Sequence, residues 1–320
     1  MSETKNATSY GATLYNAVKV DGQEFRDRTL ARLKSIQGHL DKTPRSGRLH
    51  GKVCIITGVG SLKGIGRASA LLFAHAGAKH LYLLDFDGTN LPELKTTIES
   101  RFSDVKATVV QGDAADEETI AQLCKRALQE EGRLDVFFAN AGVATIDPLE
   151  KVTTEQFMRV MRINTLSCFL AIKYGSNAML KTNPSRGKEH TGGSIILTAS
   201  IAGIRSGAGS LDYSASKAAV NNMAHTAPYQ LRNTDIRVNS ICPGIIETGM
   251  TEPTFTYAAA RGTTYKVGQL NAQGRWGVAE EIGNTALFLA SDDSSYVNGQ
   301  NLAVDGGLSA SHPVAAGRWA

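Results

Sequence analysis

The chain has 320 residues, of which 42% are hydrophobic and 20% are charged. This balance is that of an ordinary globular chain, so it excludes a collagen, a coiled coil and a fully disordered protein. Nine Lys or Arg residues and five acidic residues fall in the first fifty positions, while the rest of the chain carries equal numbers of bases and acids. A neutral body argues against a nucleic-acid-binding surface, which needs a basic face.

Two further features bear on the compartment. The four cysteines, Cys54, Cys124, Cys168 and Cys242, are far apart and form no CxxC pair, which is typical of buried free thiols. No apolar run approaches the ~18 residues of a membrane-spanning helix, and the start of the chain lacks the pattern of a signal peptide. We therefore expect a cytoplasmic protein in a reducing compartment, with no membrane partner and no metal site.

Residues 1–50 differ from the rest of the chain. They are polar and basic, with an amphipathic helix predicted around Phe25, Leu33, Ile36 and Leu40. We interpret them as a surface arm or partly disordered tail, and expect removal of residues 1–45 to leave a folded, functional protein. A mitochondrial transit peptide is the alternative, but such peptides avoid acidic residues and this segment contains five.

From Gly51 onward, short β-rich runs alternate with longer helical patterns, which predicts a parallel sheet built from βαβ units. The predicted strands are Val53–Thr57, Lys79–Leu84, Lys106–Val110, Leu134–Ala139, Ser194–Thr198, Ile236–Ile241 and Asn301–Val304. The predicted helices are Ile65–His75, Leu91–Ser100, Asp116–Glu130, Thr154–Met179, Tyr213–Leu231 and Glu280–Ala290. The expected fold is a single doubly wound α/β domain with a seven-stranded sheet over residues 51–308, followed by a tail at 309–320.

A glycine-rich turn joins the first predicted strand to the first predicted helix, with the sequence Gly58-Val-Gly60-Ser61-Leu-Lys63-Gly64-Ile65-Gly66. Glycines let the chain turn sharply and approach a pyrophosphate, which then lies at the positive end of the helix. The next strand finishes at Asp85, nineteen residues after Gly66, where a carboxylate can accept hydrogen bonds from both hydroxyls of an adenosine ribose. Strand, turn, helix, strand and acid in this order predict a dinucleotide-binding Rossmann domain.

The carboxylate of Asp85 also bears on the choice of dinucleotide. It would repel the 2′-phosphate of NADP, so NAD is the favoured cofactor. NADP remains the alternative, because Lys63 and Arg67 lie in or beside the turn and could meet a phosphate.

Tyr213-Ser-Ala-Ser-Lys217 begins a predicted helix, and its i, i+4 spacing places the phenol and the ammonium on one helix face. The spacing alone has low specificity, since Tyr15 and Lys19 repeat it. The surrounding sequence distinguishes the two pairs. Tyr213 and Lys217 follow a predicted strand whose carboxyl end could bind a ligand, whereas Tyr15 belongs to no βαβ unit.

Together these motifs resemble those of the classical short-chain dehydrogenase/reductase (SDR) family over residues 51–308. In family order the resemblance covers the glycine turn, Asp113-Ala114, Asn140-Ala141-Gly142, Asn164, Ser200, Tyr213, Lys217, Pro243-Gly244-Ile-Ile246-Glu-Thr248 and Val304-Asp-Gly-Gly307. It implies an NAD(P)-dependent oxidoreductase of small-molecule alcohols or ketones, acting as a homo-oligomer, either a dimer or a tetramer.

The resemblance also implies residue roles. Tyr213 would exchange a proton with the reacting oxygen, and the ammonium of Lys217 would favour the phenolate and hold the nicotinamide ribose. Ser200 would hydrogen-bond the reacting oxygen, and Asn164 would position a water that relays protons to Lys217. The residues expected to bind the cofactor are Gly58, Gly60, Ser61, Lys63, Gly64, Ile65, Gly66, Asp85, Phe86, Asp113, Ala114, Asn140, Ala141, Gly142, Tyr213, Lys217, Pro243, Gly244, Ile246 and Thr248.

The chain departs from the common family pattern in its glycine turn. Five residues rather than three separate Gly58 from Gly64. Either the turn is two residues longer, or Gly60 serves as its first glycine. We predict the longer turn, because Gly58 sits directly at the end of the strand.

Residues 249–276, which the family uses as a mobile lid over the substrate, contain several aromatic residues and few charges. This composition favours an apolar or cyclic alcohol or ketone, although aromatic residues that only pack the segment down would give the same pattern. The alternative function is a non-redox protein of the same fold, such as an isomerase, a cyclisation catalyst or a dinucleotide-binding regulator. The intact set of Asn164, Ser200, Tyr213 and Lys217 argues against it.

Overall fold

The computed structural model describes residues 22–310, apart from the side chain of Phe25. The Tyr15–Lys19 pair, the Phe25 side chain and all but the first two residues of the predicted tail therefore lie outside the described residues. Across residues 22–310, none of the helices is both long and apolar enough to cross a membrane.

Seven parallel strands form the central sheet. The strands of the chain are β1 (Val53–Thr57), β2 (His80–Asp85), β3 (Lys106–Gln111), β4 (Val136–Ala139), β5 (Gly193–Thr198), β6 (Ile236–Pro243), β7 (Ile246–Glu247), β8 (Gly277–Val278) and β9 (Asn301–Val304). The sheet order is β3-β2-β1-β4-β5-β6-β9, and β7 and β8 form a separate short pair. The predicted seven-stranded Rossmann architecture is confirmed, while the β7–β8 pair was not predicted.

Helices cover both faces of the sheet. The helices within residues 22–310 are α1 (Gly22–Gln37), α2 (His39–Lys42), α3 (Ile65–His75), α4 (Leu91–Arg101), α5 (Glu117–Glu131), α6 (Thr154–Met161), α7 (Ser167–Met179), α8 (Leu211–Gln230), α9 (Glu252–Ala260) and α10 (Ala279–Ala290). Successive residues of β1 point to opposite faces, so Ile55 joins one apolar cluster and Ile56 the other. Because both faces are covered, β1 is buried along its whole length. The four cysteines are buried and free, as predicted.

The strand order creates a crevice beside β1. This strand pairs with β2 on one side and with β4 on the other, so the connections leave it in opposite directions. Thr57 at its end fixes the neighbouring loop, since its hydroxyl oxygen accepts hydrogen bonds from the backbone N–H groups of Asn140 and Ala141, both at 3.1 Å. Asn140 in turn donates from Nδ2 to the carbonyl of Gly58 at 3.0 Å.

The described part of the N-terminal extension is packed onto the domain more closely than a surface arm. Leu33 of α1 is buried against Trp276 and Val278. Leu49 is fully buried in the main core, and its backbone N–H donates to the carbonyl of Ala76 at 2.9 Å. The folded unit therefore begins before residue 51.

Candidate active site

The carboxyl ends of the central strands surround a cavity of about 430 Å³. The predicted site residues that line it are Gly58, Ser61, Gly64, Ile65, Asp85, Asn140, Gly142, Ser200, Tyr213, Lys217, Pro243, Gly244, Ile246 and Thr248. The fold thus brings the glycine turn, Asp85 and the Tyr–Lys pair to one place, although they are far apart in sequence.

The remaining predicted site residues lie outside this lining. They are Gly60, Lys63, Gly66, Phe86, Asp113, Ala114, Ala141 and Asn164. Phe86 is exposed, and Asp113 accepts a hydrogen bond from the guanidinium of Arg162 at 2.7 Å. Both residues follow strands at the carboxyl edge of the sheet, beyond the cavity on the side of β2 and β3.

The glycine turn begins at Gly58, whose φ of +75° lies in the left-handed region that favours glycine. It ends at Gly64, the residue that precedes α3. Gly66 lies against the start of the turn, because a Cβ there would stand 2.2 Å from the carbonyl oxygen of Gly58. The turn therefore spans Gly58 to Gly64, and the backbone can approach a ligand closely at both ends.

Asp85 faces the middle of this turn. Its Oδ2 accepts a hydrogen bond from the N–H of Gly60 at 2.7 Å, and its Oδ1 accepts one from the N–H of Asp87 at 2.9 Å. Each carboxylate oxygen can accept a second hydrogen bond, so Asp85 keeps capacity for two ribose hydroxyls. It is partly exposed and lines the cavity.

The two cations beside the turn are engaged elsewhere. Lys63 pairs with Glu247 of β7 at 2.9 Å, and the hydrogen bond to that carboxylate raises the pKa of Lys63. Arg67 pairs with Glu93. Neither side chain lines the cavity, so neither is placed to bind a phosphate inside it.

Tyr213 lies in the first turn of α8 and is partly exposed. Lys217 follows one turn later and is only 3% exposed, with its Nζ 5.8 Å from the centroid of the Tyr213 ring. Its ammonium donates to the carbonyl of Thr198 at 2.7 Å. Among residues 22–310, no carboxylate forms an ion pair with Lys217, so its positive charge acts on the phenol and on whatever fills the cavity.

Ser200 directly precedes a short 3₁₀ turn, Ile201–Gly203, after β5. Its Oγ accepts a hydrogen bond from the N–H of Ala202 at 3.1 Å, which fixes the orientation of the side chain. A hydroxyl that accepts can still donate its own proton. Ser200 can therefore donate to an oxygen atom in the cavity that it lines.

Asn164 lies in a π-helical turn, Arg162–Leu166, that separates α6 from α7. The sequence predicted one continuous helix over Thr154–Met179, and the extra residue of the π turn was not predicted. Such turns occur often at functional sites. Here the turn carries a fully buried asparagine towards the loop that follows β4.

The amide of Asn164 joins that loop to α8. Its Oδ1 accepts from the N–H of Val143 at 2.8 Å, and its Nδ2 donates to the carbonyl of Val143 and to Oγ of Ser216, both at 3.0 Å. Asn164 and Lys217 also meet across Gly142, where a Cβ would lie 3.1 Å from the amide oxygen and 3.3 Å from Nζ. The geometry thus makes Asn164 a positioning residue for the site.

Sequence reasoning missed Asp212, the fully buried neighbour of Tyr213. Its carboxylate accepts hydrogen bonds from the hydroxyl of Thr145 at 2.8 Å and from the backbone N–H of Tyr213 at 2.9 Å. Burial acts to raise the pKa of Asp212, but hydrogen bonds from Ser210, Thr145 and Gln156 outweigh it and leave the pKa below its usual value. An acidic residue at the start of a helix is common, so nothing in the sequence marks Asp212 as a neighbour of the site.

A second cavity, of about 310 Å³, lies at the opposite, amino edge of the sheet. Two ion pairs lie in its lining: Arg133 pairs with Asp135 at 2.8 Å, and Lys52 pairs with Asp292 at 2.6 Å. The ammonium of Lys188 donates to the carbonyl of Leu134 at 2.6 Å. Both the Tyr–Lys pair and the glycine turn line the carboxyl-edge cavity, so this cavity is the candidate active site.

Residues 58–309 match a protein-family model described as Enoyl-(Acyl carrier protein) reductase. The chain is also 30% identical to a solved short-chain type dehydrogenase/reductase from Mycobacterium marinum, with a TM-score of 0.72 over 82% of this chain and 97% of that one. The chain belongs to the short-chain dehydrogenase/reductase family. It is an NAD(P)-dependent oxidoreductase acting on CH–OH groups.

Two curated relatives place this SDR among alcohol and ketone enzymes. The 3-oxoacyl-[acyl-carrier-protein] reductase FabG of Thermotoga maritima is 37% identical over 261 residues, covering 82% of this chain and 99% of the relative. The 3beta-hydroxysteroid dehydrogenase 2 of Eggerthella lenta is 34% identical over 267 residues, covering 82% and 96%.

The residues of the cavity fit the nicotinamide dinucleotide that SDR enzymes use. Gly66 lies so close to Gly58 that no side chain fits between the turn and α3. A pyrophosphate site formed by backbone groups requires this close approach. Asp85 has acceptor capacity for a ribose, and the buried ammonium of Lys217 has no carboxylate partner among the described residues. The glycine turn, Asp85 and Lys217 would therefore hold its pyrophosphate, adenosine ribose and nicotinamide ribose respectively.

Proposed function

We propose that this SDR interconverts a secondary alcohol and a ketone of apolar or cyclic character, with NAD as cofactor and Tyr213 as general acid and base. One observation carries the proposal. Tyr213, Ser200 and Lys217 line the same cavity as the glycine turn and Asp85. In this proposal, the group that transfers the proton shares one cavity with the turn that holds the dinucleotide.

The chemistry divides between three side chains. When bound, the nicotinamide supplies the carbon that accepts or gives hydride. In the oxidation direction, the phenolate of Tyr213 takes the proton of the alcohol while Ser200 donates a hydrogen bond to the same oxygen. The ammonium of Lys217 stabilises the phenolate by its charge. In the reduction direction, the phenol returns the proton to the carbonyl oxygen.

The lining of the cavity supports an uncharged substrate. Asp85 and Lys217 are its only charged residues among those the structure describes, and the proposed mechanism uses both. No charge then remains to bind a phosphate or carboxylate of the substrate. Apolar side chains line the cavity instead, among them Ile246 and Met250. An apolar or cyclic substrate would cover these surfaces.

The cofactor preference has a direct test in Asp85. We expect the wild-type protein to bind NAD more tightly than NADP by about fivefold to several hundredfold, since two like charges ~4 Å apart repel by about 1 to 4 kcal/mol. Asp85→Asn should reduce the ratio of the Kd for NADP to the Kd for NAD, because it weakens NAD binding and improves NADP binding. Asp87→Asn is the control, because it removes a charge two residues away that lies outside the cavity. Titration of both cofactors measures the ratio, and tighter NADP binding by the wild type would contradict the proposed role.

Exposed apolar residues on the surface also support the homo-oligomer that we infer. Met158, Leu166 and Phe169, along α6, the π turn and α7, are each more than a third exposed, and they offer an apolar face to a second copy of the chain. We expect a dimer or tetramer in solution, which light scattering after gel filtration would detect. A monomer at micromolar concentration would contradict this inference.

A further inference from the structure

The helix α1 packs against the lid segment, which we define as residues 249–276. Leu33 of α1 is 4% exposed, and it forms an apolar cluster with Trp276, the last residue of the lid segment, and Val278. Phe255 and Val267 of the lid segment and Ile36 of α1 border the same cluster. The part of the chain that matches the family model begins only at residue 58, so α1 lies outside it.

Trp276 connects α1 to other parts of the lid segment. Its ring meets Phe255 of α9 edge to face, with centroids 5.5 Å apart. Its indole N–H donates to Oε2 of Glu247 at 3.1 Å, and Oε1 of the same carboxylate accepts from Lys63 of the glycine turn at 2.9 Å. The side chain of Trp276 thus contacts α1 and α9 directly, and Glu247 links it to the glycine turn.

The backbone continues the connection to the cavity. Ile246 and Glu247 of β7 pair with Gly277 and Val278 of β8, so the strand that follows Trp276 is bonded to the strand that leads into the lid segment. Ile246 and the residues from Thr248 to Thr251 line the cavity. Both ends of the lid segment are therefore held at the cluster that Leu33 completes.

We propose that α1 braces the lid segment, and that Leu33 is a positioning residue for the active site through Trp276. This inference rests on the proposed function of the cavity, because the braced lid segment is the one that would close over the substrate and the cofactor. Leu33 touches neither substrate nor cofactor; it acts by holding Trp276 against Phe255 and Glu247.

The helix supplies its own control. Leu30 lies on α1 one turn before Leu33 but is 45% exposed. Leu33→Ala and Leu30→Ala remove the same atoms from the same helix, and only the first removes a contact with Trp276. A general loss of helix stability would affect both variants alike.

The first measurement is hydrogen exchange of the full-length protein without cofactor, so it does not depend on turnover. In Leu33→Ala we expect exchange in residues 249–260 and 275–278 to quicken by about tenfold, which corresponds to ~1.4 kcal/mol of lost local stability. Exchange in β1 and α3 should stay at the wild-type rate, and Leu30→Ala should match the wild type throughout. Unchanged exchange in the lid segment of Leu33→Ala would overturn the brace, and so would equal quickening across the whole domain.

The second measurement is steady-state kinetics with a substrate of the wild-type enzyme. We expect Leu33→Ala to raise KM several-fold more than it lowers kcat, because the brace orders the lid and leaves Tyr213 and Lys217 in place. Wild-type KM in Leu33→Ala would overturn the brace while leaving the proposed function intact. Failure of the proposed function would instead show as a wild-type protein without turnover.

Discussion

Replacing Tyr213 with Phe is expected to lower kcat by about 10² to 10⁴, the range typical for loss of a general acid or base. The substitution removes one oxygen atom and keeps the ring that stands 5.8 Å from Nζ of Lys217. The glycine turn and Asp85 are unaffected, so the Kd of the cofactor should change little. Single-turnover and steady-state rates, together with cofactor titration, separate the two effects.

The matched control is Tyr229→Phe, which removes the same atom from the same helix at an exposed position. This variant should keep wild-type kinetics. If Tyr213→Phe also kept wild-type turnover, the acid and base would be another group, and the non-redox reading of the fold would gain support. Loss of turnover in both variants would point to damage to α8 rather than to lost chemistry.

Gly66→Ala is expected to weaken cofactor binding by about tenfold to a hundredfold, because overpacking of a closely packed position costs about 1 to 3 kcal/mol. The added Cβ would stand 2.2 Å from the carbonyl oxygen of Gly58 and 2.8 Å from Nδ2 of Asn140. Either the turn or α3 must move, and the pyrophosphate cradle opens with it.

Thermal unfolding with and without cofactor measures this effect alongside direct titration. We expect the stabilisation by saturating NAD to shrink in Gly66→Ala, while circular dichroism shows the native secondary structure. Gly38→Ala is the control, since its Cβ would meet a single backbone atom at 3.3 Å and Gly38 does not line the cavity. An unchanged Kd in Gly66→Ala would show that the turn does not form the cradle.

The parts of the site that the sequence predicted are those with a local signature. The glycine turn requires positive φ and close approach, so its residues are restricted in type at fixed spacing. The pair of Tyr213 and Lys217 was identified because one helical turn separates them and a strand precedes them. Parallel topology then placed both motifs at one edge of the sheet, as the alternation of strands and helices had predicted.

The parts that were not predicted depend on contacts between distant segments. The π turn around Asn164 is stabilised by Val143 and Ser216, neither of which marks a turn in the sequence. The sequence allows Lys63 to meet a phosphate, whereas in the structure its ammonium donates to Glu247, 184 residues away in the chain. The amphipathic helix predicted around Leu33 indicates an apolar face, but no local pattern indicates that Trp276, far along the chain, packs against it.

If Tyr213 is the general acid and base, the cavity holds a nicotinamide ring beside its hydroxyl. A crystal structure of the protein with bound NAD would show this arrangement. We expect adenosine ribose hydroxyls on Asp85 and a nicotinamide ring between Ser200, Tyr213 and Ile246. A dinucleotide bound in another place, or a Tyr213 hydroxyl directed away from the nicotinamide ring, would contradict it.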